Sequence, residues 1–152
     1  MPRTPDHAAR FRSTRAAHQG ETAEDYVEAV TQLIETTGEA RIRDLALMMG
    51  VSHVTVTRIV ARLAREGLLG ATPYRPVQLT PAGRRLAART RERHQVVLAF
   101  LRSLGVPPRQ AEIDAEGIEH HVSDATIRAM KRAIASAPVP PAAVPASPEG
   151  YA

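Results

Sequence analysis

The sequence contains no cysteine and no tryptophan, and its 152 residues include only three tyrosines and two phenylalanines. The absence of cysteine excludes disulfides, thiolate metal sites and cysteine nucleophiles. So few aromatic rings argue against a protein that binds single-stranded nucleic acid by stacking bases on them. No stretch approaches the ~20 apolar residues of a membrane-spanning helix, and no signal peptide opens the chain. These absences predict a cytoplasmic protein that does not contact a membrane.

Charge is segregated along the chain in blocks of alternating sign. The net charge of +4 conceals balances of +3 over residues 1–20, −6 over 21–40, +4 over 41–80, +6 over 81–110 and −3 over 111–152. Arginine supplies nearly all of the positive charge, and it makes bidentate contacts to phosphate and guanine that lysine makes less well. Solvated helix faces are the alternative for any single block. The pattern as a whole predicts a polyanion-binding middle between two carboxylate clusters.

Both ends of the chain lack the periodicity of packed elements. Residues 1–20 are rich in arginine, alanine and histidine and show no apolar period, so we expect a disordered basic arm. Residues 138–152 contain five prolines and predict an extended, disordered tail. One or two small domains are then expected within residues 21–137.

Residues 21–80 begin with the pattern of an amphipathic helix. Thr22 and Asp25 have the spacing of a capping box, and they precede apolar residues that recur at helical spacing. Gly38 supplies a stop signal. The sequence therefore predicts a first helix that starts near Thr22 and ends before Gly38.

The next segment has the order helix, tight turn, helix and hairpin. A short helix ends at Gly50, and Ser52 is placed to cap a second helix over about residues 53–65. Strand-like runs at 68–69 and 77–79 flank a Pro-Tyr-Arg-Pro turn and predict a hairpin. This order is typical of a winged helix-turn-helix domain.

The second helix of such a motif lies in the major groove of double-stranded DNA and reads base edges. Arg58 is the best candidate for a guanine contact. Phosphate contacts fix the position of a protein on DNA without reading the base sequence, and the residues that suit them are Ser52, Arg62, Tyr74 and Arg75. A protein-interaction module of the same shape is the alternative, and the basic balance of residues 41–110 favours DNA. The predicted DNA-binding residues are Ser52, His53, Thr55, Thr57, Arg58, Arg62, Tyr74 and Arg75.

Residues 81–137 predict a second, helical domain. Pro81 opens a long helix to about residue 104, and two shorter helices follow at about 109–121 and 124–136. Gly117 lies inside one of them, which suggests that another helix approaches it closely. The expected class is mainly α, with an N-terminal winged helix-turn-helix domain and an α-helical dimerisation domain.

Hard metal ligands are concentrated at two places along the chain. Glu116, Glu119 and His120 are spaced i, i+3 and i+4, so one helix face presents all three. Asp25 and Glu28 repeat the i, i+3 spacing on the first helix, although acids favoured by the helix dipole are the alternative there. Carboxylates held so close repel one another unless cations bind, and oxygen-rich ligation with imidazole suits Mn²⁺ or Fe²⁺. The candidate ligands are Asp25, Glu28, His94, Glu116, Glu119 and His120.

These motifs together resemble the manganese transport regulators, a branch of the diphtheria-toxin-repressor family of metal-dependent repressors. The resemblance covers about residues 22–135. It is carried by the segments Glu24-Asp-Tyr-Val-Glu28, Gly38-Glu-Ala-Arg41, Gly50-Val-Ser52, Arg91-Glu-Arg-His-Gln95, Leu104-Gly-Val106 and Asp114-Ala-Glu-Gly-Ile-Glu-His-His-Val-Ser123.

The resemblance implies a homodimer, and it implies that all six candidate ligands occupy the metal-binding positions of the family. In the iron-responsive branch a methionine stands at the position of Asp25 and a cysteine at that of Glu119. Carboxylates at both positions favour manganese, with two Mn²⁺ ions per subunit expected and Fe²⁺ as a second candidate.

The sequence therefore predicts a manganese-responsive DNA-binding repressor of metal-uptake genes, in which metal binding locks a homodimer on a palindromic operator. A regulator that responds to iron or to both metals is the nearest alternative. A dinuclear metalloenzyme is the alternative of another class, but the chain lacks the Glu-x-x-His pairs of di-iron bundles. A winged-helix regulator that senses an organic ligand is the third.

Overall fold

The computed structural model describes the backbone of residues 7–136 and the side chains of residues 18–20 and 22–136. In that part of the chain the elements are α1 (His7–Thr37), α2 (Ile42–Met49), α3 (His53–Arg65), β1 (Leu69–Gly70), β2 (Gln78–Leu79), α4 (Pro81–Ser103), α5 (Pro108–Ile118) and α6 (Asp124–Ser136). The mainly helical class is confirmed. Among the described helices, none is by itself long and apolar enough to cross a membrane. Only α2 and α3, bent by 108° at their break, reach that length and composition as a pair.

The first helix is longer than predicted. It begins at His7, so residues 7–20 are helical, and the expectation of a disordered arm is wrong for them. The Thr22 hydroxyl donates to the carbonyl of His18 at 2.8 Å within the helix, so it caps nothing. Alanine and arginine have a high intrinsic helix propensity. Residues 7–20 are therefore helical although their sequence has no periodic apolar face. Residues 1–6 and the predicted tail at 138–152 lie outside the described residues.

The helix-turn-helix follows the prediction closely. Gly50 ends α2 in the left-handed conformation at φ 66°, and its N–H donates to the carbonyl of Ala46. Ser52 Oγ accepts the N–H of Thr55 at 3.1 Å and caps α3. Glycine adopts the left-handed conformation without a steric penalty because it has no Cβ, so a tight turn can form at Gly50. This turn sets the angle between α2 and α3.

The wing is a short antiparallel hairpin that is anchored to the first and fourth helices. Leu69 pairs with Leu79, and Ala40 adds an isolated bridge to Val77 beside the hairpin. Thr80 Oγ1 donates to the carbonyl of Gly67 at 2.6 Å and accepts the N–H of Gly83 at 3.0 Å. One side chain therefore closes the base of the wing and caps α4.

The described residues form a large core and a small one. The large core lies among α1, α2, α3 and the wing, and it is built around Tyr26, Val30, Leu45, Val56 and Leu63. Its packing extends to Ala87 and Leu86 of α4, past the predicted domain boundary at residue 80. The small core contains Val97, Ala115 and Ile127. α4 thus runs through both cores and connects them.

Gly83 permits the close approach of α4 to the wing. A Cβ on Gly83 would lie 2.1 Å from the carbonyl oxygen of Leu68. A Cβ placed on Gly117 would meet no atom of another element within 4 Å, so the expectation of a close helix approach at Gly117 is wrong for the described residues of this chain.

We expect Gly83→Ala to lower the free energy of unfolding by about 2–3 kcal/mol, because the wing or α4 must shift to admit the methyl group. The matched control is Gly117→Ala, which should raise the free energy of unfolding by about 0.5–1 kcal/mol because alanine is the better helix former. Urea denaturation of both variants in the presence of chelator measures the difference. Equal unfolding midpoints would contradict the assigned close contact.

Candidate metal centre and nucleic-acid interface

One cluster of ligand atoms lies between α4 and the end of α5. His94 on α4 offers Nδ1, which lies 2.5 Å from Glu119 Oε2 and 3.8 Å from Glu116 Oε1. The ligand atoms of His94, Glu116 and Glu119 all lie within 4.8 Å of one another. Their spacing suits a single divalent cation shared by three protein ligands.

A second group lies next to the first and reaches α1. His120 Nε2 is 3.4 Å from Asp25 Oδ1 and 3.5 Å from Glu119 Oε1. The two carboxylate oxygens of Glu119 therefore face different imidazoles, those of His94 and His120. Glu119 therefore lies between His94 and His120 and links the two groups of side chains.

Five of the six predicted ligands are brought together in this way, and Glu28 is placed differently. It lines a cleft of about 360 Å³ between α1 and α4, where Arg84 and Arg91 are among its neighbours. The two sides of this cleft are also joined by an ion pair, with Arg91 Nη2 3.2 Å from Glu35 Oε2. Glu28 therefore lines this cleft together with Arg84 and Arg91, and its role as a ligand stays a prediction.

Two acids that the sequence analysis did not select contact the imidazoles of the candidate ligands His94 and His120. Glu24 Oε2 lies 2.6 Å from His120 Nδ1, and Glu112 Oε2 lies 3.4 Å from His94 Nε2. Glu112 precedes Glu116 by one helical turn, so helical spacing alone could have identified it. Glu24 could be identified only from the fold, because its partner is 96 positions away.

The burial of Glu119 dominates the electrostatics of the site. Its side chain is 2% exposed, and burial raises the pKa of Glu119 although the two imidazoles partly offset this effect. The hydrogen bond to Glu24, with further help from Asp25 and Glu119, raises the pKa of His120 to about 9. Partial burial lowers the pKa of His94, but Glu119, Glu116 and Glu112 outweigh it and raise that pKa overall.

The donor set fits a hard or borderline divalent cation. Carboxylate oxygens and imidazole nitrogens suit Mn²⁺ and Fe²⁺, and no thiolate is available anywhere in the chain. An imidazole nitrogen must lose its proton to ligate, so cations and protons compete for this site. A second carboxylate on the far nitrogen of each imidazole is the usual way to orient a metal-ligating histidine, and Glu24 and Glu112 occupy those places.

The predicted base-reading face of α3 is accessible. Thr57 and Arg58 are exposed, as is His53 at the start of the helix. Thr55 is half-buried, and its hydroxyl lies 3.0 Å from that of Ser52 at the helix cap. Val56, Val60 and Leu63 occupy the opposite, buried face.

The wing and α3 enclose a cleft of about 690 Å³ with a basic lining. Tyr74 and Arg75 of the wing line it opposite Thr57, and both side chains are exposed. Arg41 and Arg43 at the start of α2 also line it, and the sequence analysis did not select them. Arg62 lies elsewhere on α3, with Nε 3.7 Å from Glu66 Oε1.

Comparison with protein families matches both halves of the chain. Residues 18–77 match the N-terminal DNA-binding domain of iron-dependent repressors. Residues 80–141 match the metal-binding and dimerisation domain of the same repressors. The two matches meet at the start of α4.

Individual relatives agree with these matches. The transcriptional regulator MntR of Escherichia coli O6:H1 is 48% identical over 126 residues, which cover 83% of this chain and 81% of that protein. MntR of Salmonella typhimurium is 49% identical over 124 residues, covering 82% and 79%.

Solved structures show the same fold. A manganese-dependent transcriptional repressor in complex with manganese is 27% identical with a TM-score of 0.66, and the match covers 78% of this chain and 63% of that one. The manganese regulator SloR is 25% identical with a TM-score of 0.64, and the match covers 74% of this chain. The chain spans about half the length of SloR, 53%.

We expect Glu24→Ala to weaken Mn²⁺ binding about tenfold, because loss of the carboxylate on Nδ1 frees the ring and tautomer of His120. Glu35→Ala is the matched control: it removes an acid from the same helix whose partner is Arg91. Calorimetric titration of Mn²⁺ into both variants tests this expectation. An equal loss of affinity in the two variants would show that Glu24 acts only through the overall charge of α1.

Proposed function

Because this chain belongs to the iron-dependent repressor family of DNA-binding regulators, we propose that it is a manganese-responsive repressor of metal-uptake genes. The family and the relatives are transcriptional regulators and not enzymes, so the chain is a regulator that binds DNA and divalent metal and has a dimerisation domain. The MntR relatives and the manganese-dependent repressor structure support manganese as the effector.

The observation that carries this proposal is the meeting of two distant acidic segments around His120. Asp25 and Glu24 belong to α1 of the DNA-binding domain, whereas Glu119 and His120 follow α5 in the dimerisation domain. Ligands from both domains therefore converge on one place. A signal that acts there can change how the two domains sit relative to each other.

The proposed metal ligands are the six residues Asp25, Glu28, His94, Glu116, Glu119 and His120. We propose two Mn²⁺ ions per subunit, since His94, Glu116 and Glu119 form one group of ligand atoms and His120, beside Asp25, lies 3.5 Å from the other oxygen of Glu119. Bound cations would offset the repulsion between the carboxylates of these ligands. A carboxylate-rich donor set without sulfur favours Mn²⁺, and a response to Fe²⁺ is the alternative that a metal series decides.

The proposed DNA interface combines α3 with the wing. Arg58 on the exposed face of α3 reads a guanine, and His53, Thr55 and Thr57 lie at or near the base edges. Ser52, Arg62, Tyr74 and Arg75 contact phosphates. A twofold dimer presents two recognition helices at once, so the operator is a palindrome with half-sites roughly one or more helical turns apart.

The mechanism follows from the position of α1. This helix packs against α2 in the core that also buries one face of α3, and it carries Asp25 and Glu24 to His120. When these acids and His120 hold α1 against the dimerisation domain, each recognition helix takes a defined position relative to the dimer axis. Two half-sites can then be met together, and by linkage DNA must tighten metal binding by the same factor.

We expect operator affinity, measured at fixed salt, to rise about 10- to 100-fold when chelator is replaced by Mn²⁺, which is the usual range of coupling between two sites. Arg58→Ala should lose operator binding and retain Mn²⁺ binding, because Arg58 lies on α3, which carries none of the proposed metal ligands. Arg132→Ala on α6 is the control that removes the same charge elsewhere. Operator affinity that is equal with Mn²⁺ and with chelator would contradict the proposal, and titration with Fe²⁺ and Zn²⁺ ranks the metals.

A second expectation concerns the dimer. Leu104 and Ile113 are 64% and 57% exposed in the single chain, and both lie in the segment that matches the dimerisation domain. Apolar side chains of this size are the kind that a homodimer interface buries. We propose that the second copy of the chain covers them.

Ile113→Asp should therefore yield a monomer in sedimentation velocity, because a carboxylate in the centre of the interface is left without a partner. Leu47→Asp is the control, since Leu47 is 83% exposed but lies on α2 of the DNA-binding domain. A dimer that survives Ile113→Asp would place the interface elsewhere on the dimerisation domain.

A further inference from the structure

The proposed ligands Glu119 and His120, which link the side chains of α4 to those of α1, lie in a turn. α5 ends at Ile118, and residues 119–123 connect it to α6. The last carbonyl groups of a helix have no partner within the helix, so a turn of this kind depends on other groups to hold it. The N–H of Glu119 donates to the carbonyl of Ala115 in α5 at 3.0 Å, whereas the carbonyl of Glu119 accepts hydrogen bonds from outside that helix.

Arg93 holds this turn from the neighbouring helix α4. Its Nε and Nη2 donate to the carbonyl of Glu119 at 3.2 and 2.8 Å, and Nη2 also donates to the carbonyl of Val122. Its Nη1 donates to Asp124 Oδ1 at 2.7 Å. One guanidinium thus contacts the beginning of the turn, its end and the first residue of α6.

The chemistry of arginine suits this task. The guanidinium is a planar fork with fixed donor directions, so it holds several acceptors in one geometry and loses little freedom in doing so. Its charge lies at the C-terminal end of α5, where a cation is favoured by the helix dipole. The side chain is only 13% exposed, so solvent screens these contacts weakly.

Arg93 immediately precedes His94 in α4. One turn of α4 therefore supplies the proposed ligand His94 and the arginine that holds the turn containing Glu119 and His120. Arg93 holds the carbonyl of Glu119, and the carboxylate of the same residue reaches His94 Nδ1 at 2.5 Å on one side. The other oxygen stays 3.5 Å from His120 Nε2.

We propose that Arg93 is a positioning residue of the metal centre, which sets the distance between His94 and the Glu119–His120 pair through the backbone of the turn. This inference rests on the proposed metal-responsive function. It extends that function to a residue that is not itself a ligand.

The test uses the full-length chain with Mn²⁺ as the probe, and electron paramagnetic resonance reports the free ion and the spectrum of the bound ion. Arg93→Met should weaken Mn²⁺ binding about 10- to 100-fold, as for other residues that orient ligands. It should also change the bound spectrum at saturation. Arg93→Lys keeps the charge without the fork and should show a smaller loss. Arg89→Met, an exposed arginine on the same helix, is the control and should match the wild type.

A merely structural role predicts a different result. Arg93→Met would then lower the melting temperature in chelator but bind Mn²⁺ with wild-type affinity and spectrum, and this outcome overturns the proposal. If Arg93→Met does not fold by circular dichroism, Arg93→Lys and Asp124→Asn decide instead. Wild-type affinity and spectrum in both of these overturn the proposal as well, and a several-fold loss in both supports it.

Failure of the proposed function gives a separate signature. In that case the wild type and Arg89→Met show no saturable Mn²⁺ binding either. If the wild type binds and the Arg93 variants bind equally well, only the role of Arg93 is wrong.

Discussion

The carboxylate of Glu119 lies buried between two imidazoles, with one oxygen 2.5 Å from His94 and the other 3.5 Å from His120. A buried carboxylate is costly unless opposite charge and hydrogen bonds compensate for the lost water. Its partners come from α4 and from the turn after α5, and His120 in turn contacts Glu24 and Asp25 of α1. The relative placement of three helices therefore depends on charge neutralisation at one point. An imidazolium proton or a divalent cation can provide it, and the two compete.

This constraint matters because the fully buried core on the dimerisation side is small. The small core has three buried residues, Val97, Ala115 and Ile127, whereas the large core extends from Tyr26 to the wing. α4 connects the two cores as a continuous helix, so it transmits a change of orientation rather than absorbing it. The polar contacts at the end of α5 are correspondingly important for how the halves are arranged. A bound cation has the greatest effect on the orientation of the two halves where hydrophobic packing alone does not fix that orientation.

Several local features were predictable because their causes are local. Ser52 caps α3, Gly50 ends α2 and Thr80-Pro81 opens α4, and each depends on residues within one or two turns. The start of α1 was wrongly predicted, because a capping-box spacing at Thr22 outweighed the helix propensity of the preceding alanines and arginines. The buried face of α3 also has a local cause, since Val56, Val60 and Leu63 recur at helical spacing. For the site, the spacing of Glu116, Glu119 and His120 identified ligand types without showing which of them meet.

The sequence by itself determined the ligand chemistry, the helix-turn-helix and the family to which the chain belongs, because residue type, spacing and motif are properties of short segments. Only the tertiary structure decided that Glu24 reaches His120, that Glu28 lines the cleft between α1 and α4, and that Arg93 holds the turn after α5. These contacts join residues 26 to 96 positions apart or lie in the cleft between α1 and α4. Their formation depends on how helices pack against one another, which the pattern within any one helix does not specify.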